Sequence, residues 1–337
     1  MKLNRMITTI DTHTAGEPTR VVTGGIPYIP GASMQEKKNW MAKNEDDLRK
    51  MLMLEPRGHQ DMFGAILTAP VSEDADMGII YMDSSGYLDM CVHGSIGAVT
   101  AMVESGMLRS FDQESEKIQQ VVLDTPAGKI YSTVHLDQGH AKSVTIQNVP
   151  SFLYSVLEIE LNGMGMIPVS ICYAGNYFAI VKSELLGLRV EQQHVNKLIE
   201  YGLEIRKKVN LNIDIRHPDS GEPGQVNLVE FYEETDPPRN VVIFGAGQAD
   251  RSPCGTGTGA KMAMLHAQKK LMVGQRYPYH SIIGTEFIGE ILEEKQMKDR
   301  VAIVPAVTGR AHIIGLQKFV IDDDDPFKYG FGFLKSA

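Results

Sequence analysis

Apolar residues recur along the chain in two rhythms. Short β-branched runs occupy 6–10, 78–81, 120–123, 143–147, 178–182, 225–232 and 240–244, separated by Gly, Pro and Asp residues. That pattern predicts strands joined by turns. Residues 35–54 follow the helical period instead: Trp40, Met41, Leu48, Met51 and Leu52 share one side, and Pro56 follows. This predicts an amphipathic surface helix. Residues 191–208 read the same way.

Two further segments predict helices of another kind. Residues 91–105 (CVHGSIGAVTAMVES) are small or apolar nearly all round, and Gly106 offers a C-terminal cap. Residues 254–271 (CGTGTGAKMAMLHAQKKL) begin alike. A helix apolar on every side is buried. The pattern therefore predicts two sheets, each wrapped on a buried helix that opens on a Cys followed by Gly, Ser or Thr. This is a weak internal repeat.

A chain of 337 residues can form one large domain or two ordinary ones. With 43% hydrophobic and 22% charged residues it reads as a soluble globular protein. A net charge of −9 argues against nucleic acid or an anionic membrane as partner. No apolar run reaches the length of a membrane span. The N-terminal stretch MKLNRMITTIDTHT lacks an apolar signal core, so a cytoplasmic protein is expected. Three scattered cysteines do not make a disulfide framework, and a reducing compartment leaves their thiols available for chemistry. Asp322–Asp325 reads as a solvated acidic turn.

Cys91 and Cys254 carry the candidate chemistry. At the first turn of a helix, orphan N–H groups and the helix dipole favour an anion. They are expected to lower a thiol from its ordinary value of ~8.5 and to offer donors to a carboxylate. Two such ends facing one substrate would hold its carboxylate and place a thiol or thiolate on each side of the α-carbon. One removes the proton and the other returns a proton to the opposite face. The N–H groups would also stabilise the charge that develops.

Other readings are weaker. Cys172, inside ICYAGNYFAIV, reads as a small buried hydrophobe. Cys91-x-His93 could be half a metal site, but no second pair completes it, so no metal is expected. Gly255-x-Gly257-x-Gly259 lacks the spacing and context of a dinucleotide loop. Cys91 and His93, two residues apart at a helix start, are poorly placed as a hydrolase nucleophile and base.

These segments resemble a known family. MCVHGSIGA (90–98) resembles the first catalytic motif of the proline racemase superfamily, and DRSPCGTGTGAK (250–261) resembles its highly specific second motif. DTHTAGEPTR (11–20), EPRGH (55–59) and the terminal TGRAH and DDDDPF segments also fit, so the resemblance spans essentially the whole chain. It implies an α/β (α+β), diaminopimelate-epimerase-like fold of two pseudo-symmetric domains, each with a sheet closed around a central helix. The first would comprise 1–135 plus 311–337 and carry Cys91. The second would comprise 136–310 and carry Cys254, with the active site in the cleft between them.

The resemblance further implies that Cys91 and Cys254 are the two bases. Backbone N–H groups of Val92, His93, Gly255 and Thr256 would hold the carboxylate, and Asp250 and His93 would contact the ring nitrogen. A homodimer working without cofactor on a small amino acid is expected. RGHQDMF (57–63) and VIFG (242–245) look like proline racemases, and Phe63, Phe244 and Leu228 would form an apolar pocket for an unsubstituted ring. A hydroxyl there would cost roughly 1–3 kcal/mol unpaired. Proline is thus the expected substrate, with 4-hydroxyproline 2-epimerisation the alternative. The related trans-3-hydroxyproline dehydratases carry Thr at the second Cys, which Cys254 argues against. A proline-binding paralogue without activity is a further alternative. Val92 stands where the family usually has Gly, Gly259 replaces a usual Ser, and His312 and Leu316 replace aromatics. Val92, in a first helical turn, is expected to have negative φ.

Overall fold

The computed structural model describes residues 3–108 and 117–332. The chain forms two compact units, residues 1–146 with 309–337, and residues 147–308.

In the first unit, strands Leu3–Thr14, Glu17–Gly24, Phe63–Thr68 and Met77–Asp83 form the central sheet, joined by Ala311–Asp322. Its middle strands are covered on both faces. Side chains alternate along a strand, so Ile66, Ile80 and Met82 enter one core with Met34, Met41, Leu48, Met51 and Met53 of the helices α1 (Met34–Asn44) and α2 (Asp46–Met53). Phe63 and Tyr81, one residue out of phase, meet α3 (Val92–Glu104), whose residues Val92–Val103 are all buried. Gly97 lets α3 lie close to the sheet, since a Cβ there would stand 2.6 Å from Thr12 Oγ1.

The single helix expected over 35–54 is two. Glu45 leaves helical geometry at φ −135° and ψ 24°, its N–H closing α1 on Met41 O while the next residue opens α2. Asp46 and Asp47 sit in the first turn of α2, where the dipole favours them, and Asp46 pairs with Arg49 at 2.6 Å. The broken axis still buries the same apolar stripe. Gly106 takes φ +69° just beyond the α3 cap, as expected of a C-terminal glycine.

The second unit repeats the plan. Strands Phe152–Leu161, Gly165–Tyr173, Tyr177–Lys182, Val226–Glu233 and Arg239–Phe244 lie side by side, and Arg276–Ser281, Glu286–Gln296 and Val301–Gly309 continue from them. Helix α4 (Val195–Asn212) covers one face, burying Leu198, Ile205 and Val209 with Val241 and Ile243. It begins four residues later than the sequence pattern suggests, after a 3₁₀ turn at Gln192–His194. Helix α5 (Gly255–Ala267) covers the other face and is buried from Gly255 to Leu265. It stops four residues short of the expected 271, where Lys269 turns to φ +60°. The expected strands over 178–182, 225–232 and 240–244 are present to within a residue or two. Among the described residues, no helix is long and apolar enough to cross a membrane.

Candidate active site

Both buried helices are capped by a cysteine. Cys91 precedes α3 with extended backbone, φ −150° and ψ 110°, and its Sγ accepts the N–H of Gly94 at 3.3 Å. Cys254 precedes α5, and its Sγ accepts the N–H of Gly257 at 3.4 Å. Sulfur thus replaces the oxygen of an ordinary N-cap. The cap carbonyls receive the next donors, Ser95 N on Cys91 O at 2.9 Å and Thr258 N on Cys254 O at 2.7 Å. This leaves two N–H groups at each helix start outside any intrahelical bond: Val92 and His93 in the first unit, Gly255 and Thr256 in the second. Such paired donors beside a thiol form an anion-binding end.

Around Cys91 the sheet holds the cap in place. Ser95 Oγ donates to Cys91 O at 2.7 Å and exchanges a 2.6 Å hydrogen bond with Tyr81 OH. Thr14 Oγ1 donates to His93 O at 2.8 Å. The His93 ring lies 3.4 Å from Cys91 Sγ through Nδ1, and Phe63 meets it edge to face at 4.6 Å. Burial pushes His93 down to about 3, against a hydrogen bond to the Pro18 carbonyl that favours its charge. At neutral pH this imidazole is uncharged. One ring nitrogen donates to Pro18, so the other is an acceptor. Val92 is the first helical residue, buried, and not among those with positive φ. It therefore fits the helix start without strain.

Around Cys254 the geometry differs. Cys254 has φ +55°, a left-handed backbone in a residue other than glycine. Its N–H donates to Ser252 Oγ at 3.1 Å, and Ser252 in turn donates to Asp250 Oδ1 through N at 2.8 Å and Oγ at 2.7 Å. Burial raises the Asp250 carboxyl to about 6, while the Ser252 bonds pull it down. Burial also holds the Cys254 thiol well above its ordinary range. The Asp250 charge adds to this, while Thr256 Oγ1 and the Gly257 N–H oppose it. The expectation that the helix start lowers this thiol is therefore corrected: desolvation outweighs the donors. At neutral pH Cys254 carries its proton.

The ring-pocket candidates occupy distinct places. Phe63 joins His93 and Cys91 in the first unit. Phe244 ends its strand in phase with Asn240 and Val242, and Val242 comes within 3.1 Å of a Cβ built on Gly257, so this phase of the strand is the one α5 covers. Leu228 is half-buried and in phase with Glu230, which also meets α5. Gly259, the other departure, would place a Cβ 3.3 Å from Pro305 and 3.5 Å from Ala174, a tight fit for a larger residue.

Sequence reading passed over a buried polar group beside Cys254. Glu230 is fully buried, takes a hydrogen bond from Tyr279 OH at 2.6 Å, and is approached by Asn240 Nδ2 at 3.4 Å. Asn240 Nδ2 also donates to Pro253 O at 2.8 Å. Burial raises Glu230 to about 7 and lowers Lys261, whose ammonium sits over the Tyr232 ring, to about 7. Cys172 is buried as expected, though close enough to Glu230 and Lys261 to sense their charges. Asp325 of the acidic turn is less free than its sequence suggests, pairing with Arg57 at 3.1 Å. Among the described residues, no three His, Cys, Asp or Glu side chains are grouped to hold a metal ion.

The proline racemase family model matches residues 9–332. A proline racemase of Clostridioides difficile is 50% identical over 336 residues, covering 98% of this chain and 99% of that protein. The crystal structure of a hydroxyproline epimerase from Agrobacterium vitis, with bound trans-4-hydroxy-L-proline, superposes with a TM-score of 0.89 at 31% identity, covering 98% of this chain and 96% of that one. A PhzF-family phenazine biosynthesis protein of Bacillus anthracis, 13% identical with a TM-score of 0.60 over 95% of this chain and all of its own, shares the fold alone. The mixed α/β architecture with its two Cys-capped helices is thus the diaminopimelate-epimerase-like fold, and the chain, an isomerase of the racemase and epimerase class, belongs to the proline racemase family.

Proposed function

We propose that the protein interconverts L- and D-proline, with Cys91 and Cys254 as the two bases. The observation that carries this reading is the matched pair of caps: a sulfur on the N–H of the third helical residue, two donors left over, and a carbonyl held by a Ser or Thr hydroxyl. A proline racemase at 50% identity over nearly the whole chain supports the substrate.

The chemistry needs only proton transfers. A thiolate at one cap takes the α-proton, forming S–H and leaving the electron pair on Cα. The carboxylate takes up that charge, held by the N–H pairs of Val92 and His93 and of Gly255 and Thr256. The thiol at the other cap delivers its proton to the opposite face, and that sulfur becomes the thiolate. No electron is gained or lost overall. The raised Cys254 suits the thiol role in the resting enzyme, and the two sulfurs exchange roles when the opposite enantiomer is the substrate. His93, neutral and with an acceptor nitrogen, and Asp250 would face the ring ammonium. Phe63, Phe244 and Leu228 would line the ring. We place the protein in the cytoplasm as a homodimer without cofactor.

A second reading is 4-hydroxyproline 2-epimerisation, favoured by the likeness to the hydroxyproline epimerase structure. The test is the ratio of kcat/KM for L-proline over trans-4-hydroxy-L-proline. A ratio above one supports the racemase, because the three side chains proposed to line the ring, Phe63, Phe244 and Leu228, are apolar. A ratio below one assigns the epimerase.

A further inference from the structure

The left-handed backbone of Cys254 needs an explanation. A residue with a Cβ at φ > 0 persists only where its surroundings over-determine it, and such residues cluster where chemistry happens. Cys91 performs the matching cap with ordinary extended backbone. The peptide that precedes Cys254 is held by two donors.

Both carbonyls flanking the Cys254 backbone are clamped. Cys254 O receives Thr258 N at 2.7 Å and Thr258 Oγ1 at 2.8 Å. Pro253 O receives Asn240 Nδ2 at 2.8 Å and Thr258 Oγ1 at 3.3 Å. Asn240 is itself fully buried and lies between Pro253 and Glu230. Glu230 is anchored by Tyr279 OH at 2.6 Å. A second contact brings the carboxyl to the same place: Glu230 Oε2 lies 2.9 Å from where a Cβ on Gly257 would stand. Gly257 is the residue whose N–H the Cys254 sulfur accepts. Three strands, through Tyr279, Glu230 and Asn240, thus converge on one cap.

This cluster is a poor investment if stability were its only role. Glu230 Oε2, Asn240 Oδ1 and Lys261 Nζ are buried with no hydrogen-bond partner among the described residues. Buried polar atoms without partners are costly, and an apolar core would avoid them. We propose that Asn240 is a positioning residue for Cys254, holding the Pro253–Cys254 peptide at the end of a buried chain that runs from Tyr279 through Glu230. It does not touch substrate. It fixes the direction of Sγ, and the proposal rests on Cys254 being one of the two catalytic bases.

Two readouts test it, both at one fixed pH so that Asp250, Glu230, Lys261 and the tyrosines keep one protonation state. The first is steady-state turnover of L-proline. Asn240→Ala should lower kcat by about ten- to a hundredfold, as expected of a sub-ångström misplacement, and leave KM within about twofold. Glu230→Ala should follow it, and Glu230→Gln, which keeps acceptors for Tyr279 and Asn240, should restore most of kcat. The second readout needs no substrate: iodoacetamide labelling of Cys91 and Cys254, resolved by peptide mass spectrometry. Released from its clamp, Cys254 turns away from the Gly257 N–H, and its labelling should slow about tenfold, the worth of a hydrogen bond to a charged group, with Cys91 unchanged. Equal change at both cysteines, or none at Cys254, overturns the proposal. So does a Glu230→Gln variant as impaired as Glu230→Ala. If Asn240→Ala does not fold, Tyr279→Phe, which removes one donor and keeps the ring, must give the same selective slowing at Cys254, and its absence overturns the proposal equally. Should the wild-type enzyme turn over none of the prolines, the proposed reaction fails, and the labelling contrast alone decides whether Asn240 positions the thiol.

Discussion

The buried His93 makes stability depend on pH in a definite direction. Its ordinary value is 6.5, and burial holds it at about 3 in the folded chain. A depressed group contributes stability that is present above its unfolded value and is lost as pH falls toward its folded value. Between pH 6.5 and 4.5 the unfolded chain takes up a proton that the folded chain refuses. Two pH units at about 1.4 kcal/mol each remove about 3 kcal/mol of stability by pH 4.5. Other groups titrate in this range, and Asp250, raised to about 6, acts with the opposite sign. The comparison with His93→Gln cancels them. Urea unfolding at pH 8 and pH 4.5 is to be followed by the fluorescence of Trp40, the one tryptophan, which packs in the same unit as His93. The wild type should lose about 3 kcal/mol more than His93→Gln on going to pH 4.5. Equal losses in the two proteins would show that His93 is not held neutral by burial, and its role as an uncharged acceptor would go with it.

Three further outcomes are expected. Gly257→Ala places a methyl group 2.9 Å from Glu230 Oε2 and 3.2 Å from Cys254 Cβ, so chemical denaturation should show a loss of about 1–3 kcal/mol from overpacking, together with slower turnover. Val92→Gly should leave the fold unchanged by circular dichroism and alter KM only modestly, since Val92 already has helical backbone. A large gain in kcat would instead show that Val92 suppresses catalysis. Thr258→Val removes the hydroxyl shared by Pro253 O and Cys254 O. It should slow iodoacetamide labelling of Cys254 and leave Cys91 unaffected.

The two Cys-capped helices were legible because their signal is local. A helix with small or apolar residues on every side is buried, and a Cys before Gly, Ser and Thr lies where a cap must be. The family motifs around them added the fold. The break at Glu45 was hidden because the apolar stripe of 35–54 continues across both helices, and periodicity reports which side is buried, not whether the axis is continuous. The state of Cys254 was hidden for a different reason. A helix start suggests a lowered thiol, and only the three-dimensional structure shows that desolvation and the nearby Asp250 win. Glu230 was passed over because in VNLVEFYE alternation suggests a carboxylate facing water. That inference assumes one wet face, and this strand has α4 on one side and α5 on the other. Asn240 opens an apolar run, where a polar residue reads as the edge of a strand.

The proposed inversion needs two thiols acting on one α-carbon. Its most direct test is the optical rotation of L-proline incubated with the wild type, with Cys91→Ser and with Cys254→Ser. Rotation should decay to zero with the wild type and hold steady with each variant. Near-normal decay with either variant would contradict the two-base assignment.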